Sequence, residues 1–170
     1  MKTYVLGILF LGFTNLMIAQ NDLAILTPSN KTVYSSSKTV LNADYLNTVT
    51  HQDFSKKIEK LQNLVANYDI KSSEVYQSKS NGSYTVNFKE GNNLITAVYN
   101  KKGNLESCEE SYQAIKLPFT ISSDLMKEYP KWSIKEVKCD ITYTENKERT
   151  IIYKVSINKD NKTKNITIKV

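Results

Sequence analysis

Histidine is almost missing from this chain: His51 is the only one. With only Cys108 and Cys139 besides, no His/Cys cluster has the spacing of a metal site, and neither a metal nor any other cofactor is expected. His51 lies in the polar stretch 48–53, just ahead of a helix pattern, and reads as a solvated or capping residue rather than a general base. Arginine is equally scarce, Arg149 being single. Without an arginine cluster, and with lysines scattered rather than blocked, the net charge of +6 describes a basic surface, and nucleic acid is not an expected partner.

Long apolar runs are also lacking, except at the start. Lys2 precedes an apolar stretch over residues 4–18, and Ala19 stands immediately before the polar Gln20, Asn21 and Asp22. The stretch is shorter than the ~20 residues a bilayer crossing needs, and it contains Asn15. It reads as a secretory signal peptide over 1–19, cleaved after Ala19, although Met17 rather than a small residue sits three positions before the cut. No cysteine follows the run, which argues against a lipid anchor. The expected protein is exported, periplasmic or extracellular, with no stable membrane insertion after cleavage. About 150 residues remain, the usual size of one domain. Residues 20–50, with Ser35, Ser36 and Ser37 at their centre, read as a flexible polar leader, and 51–170 as the domain. Apolar islands such as 23–26 leave an added edge strand as the other reading of the leader.

Periodicity organises the rest. Residues 53–68 predict a helix whose face carries Phe54, Ile58, Leu61, Val65 and Tyr68, with Asp53 as N-cap and Lys56, Lys57 and Lys60 in solvent. A short strand is predicted over 73–77, followed by a turn at Asn81-Gly82. The run 83–105 alternates apolar and polar residues and turns at 90–93 and again at 101–104, the pattern of a β-meander with one buried and one wet face. Residues 106–113 continue it as a more acidic strand. A second helix opens at Lys116-Leu117-Pro118, buries Leu117, Ile121, Leu125 and Tyr129, and stops at Pro130. Three strands follow, with inward sets Val137, Cys139, Ile141 and Tyr143, then Ile151, Tyr153, Val155 and Ile157, then Ile166, Ile168 and Val170.

Laid side by side, 51–113 and 114–170 each read as helix then meander, an internal repeat of about 60 residues. The expected fold class is therefore α+β: two tandem helix-then-antiparallel-meander repeats forming one sheet with both helices on one face. Tyr84, Tyr143 and Tyr153 share their faces with aliphatic residues and are expected in the core. The opposite face collects Thr85, Asn87, Lys89, Lys138, Thr142, Lys154, Ser156, Thr167 and Lys169, a polar and basic surface suited to an acidic or peptide-like partner. Glu109 and Glu110 point to opposite faces, and with Glu106 they read as a charged edge that discourages aggregation. A disulfide between Cys108 and Cys139 would staple the two repeats in an oxidising compartment; two unpaired thiols, one buried, are the alternative. Trp132, just past the Pro130 stop, is expected to be buried where the helix turns back onto its sheet.

Several segments together carry a resemblance: Tyr68-Asp69-Ile70 with Val75-Tyr76-Gln77, the stretch from Ala97 through Asn100-Lys101-Lys102-Gly103 to Leu105, Leu117-Pro118, and Tyr129-Pro130-Lys131-Trp132. Over roughly 44–170 the chain resembles the exported PepSY-like proteins of the Bacteroidetes type, themselves described as similar in fold to β-lactamase inhibitor protein. The resemblance implies a non-enzymatic module outside the cytoplasm, some of whose kind bind or restrain peptidases. Proteins of this type often carry the label nicotinate-nucleotide adenylyltransferase. That chemistry needs a His-x-Gly-His-type phosphate site, whereas His51 has no glycine nearby, and an exported protein would lack ATP. The leading expectation is a binding module for a protein or peptide. The alternatives are an exported enzyme with a carboxylate site at Glu109 or Glu110, and a structural envelope component.

Overall fold

The computed structural model describes residues 21–22, 40–50, 54–74, 76 and 82–170. The signal peptide with its cleavage site, most of the leader, His51, Asp53, Val75, Gln77 and Asn81 lie outside the described residues. In chain order the elements are β1 (Asn21–Asp22), α1 (Ala43–Val49), α2 (Lys56–Ala66), a 3-10 turn (Ile70–Ser72), β2 (Tyr84–Glu90), β3 (Asn93–Tyr99), β4 (Leu105–Gln113), α3 (Phe119–Glu128), β5 (Ser133–Thr144), β6 (Thr150–Lys159) and β7 (Lys162–Lys169). The class is α+β. Strands β2 to β7 form one open antiparallel meander in chain order, and the two residues of β1 pair in parallel along the outer side of β2.

Period-two alternation builds this sheet. Tyr84, Val86 and Phe88 on β2, Ile95, Ala97 and Tyr99 on β3, and Val137, Cys139, Ile141 and Tyr143 on β5 are all buried, as are Ile151, Tyr153, Val155 and Ile157 on β6. Each such aliphatic or aromatic side chain contributes about 1.5–3 kcal/mol on leaving water. Tight hairpins fix the register. Gly91 turns β2 into β3 with φ 59, and Asp160 and Asn161 turn β6 into β7 with φ 47 and 62, left-handed values that these residue types tolerate best.

Helix α2 presents Ile58, Leu61 and Val65 to the sheet, and its last turn is tied down by Tyr99, whose hydroxyl donates to the Val65 carbonyl at 2.7 Å. Tyr68 packs edge-on against Phe88, with ring centroids 5.2 Å apart. The helix is shorter than its apolar pattern predicts: it begins at Lys56, and Ser55 rather than Asp53 is its N-cap. Helix α3 joins the same core through Leu125, with Pro118 as its N-cap and Phe119 left 81% exposed.

Other expectations are corrected. Residues 43–49, assigned by sequence to the leader, form α1 with Tyr45 and Val49 buried, so the folded domain begins ahead of residue 51. The Ser73–Gln77 strand is not formed at its described residues, Ser73, Glu74 and Tyr76, because the 3-10 turn capped by the Asp69 carboxylate bends the chain there. Trp132 is only half-buried, edge-on to Tyr129 at 6.4 Å. Val170, expected inward, is 59% exposed. A helical segment precedes each group of three strands, but the halves are unequal: the first carries α1, α2 and the 3-10 turn, the second α3 alone.

Candidate functional site

The nine side chains singled out from sequence all occupy the sheet face opposite the helices: on β2, β5 and β6 each alternates with buried neighbours, and on β7 Thr167 and Lys169 alternate with the half-buried Ile166 and Ile168. They fall into two groups. Thr85, Asn87 and Lys89 sit on β2; Lys138, Thr142, Lys154, Ser156, Thr167 and Lys169 sit on β5 to β7. Strands β3 and β4 lie between, roughly 14 Å across from β2 to β5 at the usual strand spacing. The second group is contiguous by register: Gln113 faces Lys138, Lys138 faces Lys154, and Lys154 faces Thr167. A shallow depression over β5 to β7 is lined by Glu136, Lys138, Lys154, Ser156, Asn165 and Thr167.

This surface is mixed in charge rather than basic. Lys154 Nζ donates to Asp140 Oδ2 at 2.6 Å, Ser111 Oγ donates to the other carboxylate oxygen at 3.0 Å, and Lys138 lies 3.5 Å from Glu136. Glu109 faces Thr142 on the same side. These acidic residues were findable, because the alternation that brings out Lys138 also brings out Glu136 and Asp140. Two opposed lysines on one face are unfavourable by themselves, and the diagonal carboxylates offset that.

The acidic run in β4 resolves differently from its sequence reading. Strand β4 is flanked by β3 and β5, so it is no edge. Glu109 is exposed on the open face, while Glu110 is 2% exposed beneath the helices. Its Oε1 accepts from the Tyr45 hydroxyl at 2.7 Å; its Oε2 accepts from Gln62 Nε2 at 2.8 Å and from the Tyr112 hydroxyl at 2.6 Å. One carboxylate thus gathers α1, α2 and β4. Burial pushes its pKa above the ordinary carboxylate range, against the three hydrogen bonds that pull it down. Burial likewise raises the Tyr45 and Tyr112 hydroxyls, which stay protonated donors. Gln62 Oε1 meets no donor among the described residues. Sequence reasoning missed Tyr45 and Gln62 altogether.

Cys108 and Cys139 are both buried and both free. Cys108 faces Tyr143 and Cys139 faces Tyr112, four residues apart along each strand. That is on the order of 13 Å, beyond the ~7 Å that a bridge spans, so the expected staple does not form. Burial raises both thiols, Cys139 to about 12. Among the described residues no group of three or more His, Cys, Asp or Glu side chains is placed to hold a metal ion, and no helix is long and apolar enough to cross a membrane. No protein-family model, no curated protein and no solved structure matches the chain.

Proposed function

We propose that this is an exported, non-enzymatic binding module whose open sheet face holds a protein or peptide partner. The observation that carries the reading is the asymmetry of the sheet: one face is filled by helices and core, and the other displays ordered polar side chains with a depression over β5 to β7. The signal-peptide pattern over 1–19 and the PepSY-like resemblance support export and a binding role. Of the two carboxylates that sequence reasoning offers as an enzyme's acid or base, Glu110 is enclosed by Tyr45, Gln62 and Tyr112, where no substrate reaches it, while Glu109 stands exposed on the open face. The mixed charge of the open face favours a partner with both signs of charge over a purely acidic one.

The test is capture from periplasm or medium by the purified mature chain, against a variant with Lys89, Lys138 and Lys154 changed to Glu and a second with Thr142→Arg. Thr142 is exposed near the C-terminal end of β5 and has no part in the core. The expected result is a defined partner lost by both variants when each is assayed well below its own melting temperature, because the triple Glu variant loses the Lys154–Asp140 and Lys138–Glu136 pairs. Equal capture by wild type and both variants rejects the sheet face.

A further inference from the structure

The Glu110 cluster lies on the opposite side of the sheet from the proposed binding face, and that reading does not use it. We propose that Glu110 is the pin of a pH-gated strap: α1 lies closed on the sheet while the carboxyl is protonated, and ionisation loosens it.

The geometry carries the argument. Helix α1 has seven residues, too few to persist by itself. It is held by Val49 and Tyr45 in the core, by the edge-on contact of Tyr45 with Tyr143 at 5.2 Å, and by the Tyr45 hydroxyl on Glu110. Arg149 reaches the Thr48 and Thr50 carbonyls at its far end. The groups facing Glu110 are neutral on every element packed against it: Tyr45 from α1, Gln62 from α2, Ile95 from β3, Cys108 and Tyr112 on β4, and Ile141, Cys139 and Tyr143 from β5. None is a cation. An ionised carboxylate there has three donors but no counter-charge among the described residues, and a buried ion without one is strongly disfavoured. A protonated carboxyl needs an acceptor, and a half-turn of the Gln62 amide offers its Oε1, which meets no donor among the described residues. That half-turn exchanges one unpaired amide atom for another, so the charge decides the balance. Around Glu110, α1 is the shorter of the two helices, seven residues against eleven in α2, and unlike β3, β4 and β5 it belongs to no sheet. Lifting it admits water to the ion. The sign follows from linkage. A group held above its ordinary pKa in the closed state makes closure best at low pH, and opening grows as pH rises, levelling off once the closed state is ionised.

The experiment uses the full mature chain. Backbone amide exchange of residues 45–49, corrected for intrinsic rate, is followed by NMR from about pH 5 to about pH 8 alongside the Glu110 side-chain carboxyl carbon. Expected is an α1 opening equilibrium that rises by up to about tenfold per pH unit, tracks the Glu110 titration, and is absent from the Tyr99 and Ile141 amides. In Glu110→Gln the α1 dependence is flat. A pH-independent α1 in wild type, or the same dependence in Glu110→Gln, overturns the proposal. Should that variant not fold, Tyr45→Phe decides. It removes one donor from the ion, so opening at high pH increases about tenfold more than at low pH. An equal increase at both ends overturns the proposal.

Discussion

Asn42 offers the sharpest energetic test of how the helical layer is fastened. It is 8% exposed and joins three parts of the fold that are distant in sequence. Its Oδ1 accepts from the Leu105 amide at 2.8 Å, its Nδ2 donates to the Ala66 carbonyl at 3.2 Å, and its own backbone N–H donates to that carbonyl at 3.0 Å. Asn42→Ala removes both side-chain bonds. The Ala66 carbonyl keeps the backbone donor, so its loss costs about 0.5–1.5 kcal/mol, whereas the Leu105 N–H is left buried without an acceptor at about 1–3 kcal/mol. The expected total is about 1.5–4.5 kcal/mol, a large share of the stability of a domain this size. Urea unfolding followed by circular dichroism checks it: the midpoint should fall while the slope with denaturant stays fixed. Asn47→Ala is the control. Asn47 is exposed on α1, and alanine is the better helix former, so that variant should be neutral or gain a few tenths of a kcal/mol. A loss below about 0.5 kcal/mol in Asn42→Ala refutes the fastening argument.

Because β4 and β5 pair without a break from Ser107–Thr144 to Gln113–Lys138, the two halves should unfold in one step, and Trp132 fluorescence and far-ultraviolet dichroism should give superimposable transitions; separate midpoints would show independent halves. Trp132→Ala should cost about 1.5–2.5 kcal/mol rather than the 3–5 kcal/mol of a fully enclosed aromatic, read from the urea midpoint; a loss at the upper figure would place the indole deeper than edge-on to Tyr129. Both thiols should resist a soluble thiol reagent at about pH 8 until the protein unfolds, and reductant should leave the melting temperature unchanged; a drop on reduction would mean that the cysteines are bonded after all.

The sheet was legible because its inward residues alternate without interruption in β2, β3, β5 and β6, and period two is a strong local signal. Helix α1 was not. Its two core anchors, Tyr45 and Val49, make a single apolar pair four residues apart inside a polar stretch, and what fixes them is remote: Glu110, Tyr143 and Arg149. The same non-locality hid Glu110, which beside Glu109 and Glu106 looks like one charged run. Alternation sends Glu109 to water and Glu110 inward, and only the arrival of Tyr45 and Gln62 from helices far along the chain gives an inward carboxyl group its hydrogen-bond partners there. The open face was read from the lysine pattern, yet its charge was misjudged, because Asp140 and Glu136 lie on the face that the lysines occupy.

Strand order identical to chain order shapes how the molecule assembles. Every strand from β3 onward finds its partner in the segment just made, and the longest wait within the meander, from Gln113 to Lys138, is bridged by α3. Loop-closure entropy is therefore met in small instalments, and the sheet zips up hairpin by hairpin. The late events are the ones that span the chain: Asn42 reaching Leu105, Tyr45 reaching Glu110 and Arg149 reaching back to Thr48. Helix α1, made early, is thus a latecomer to the fold, docking only after the strands it rests on exist.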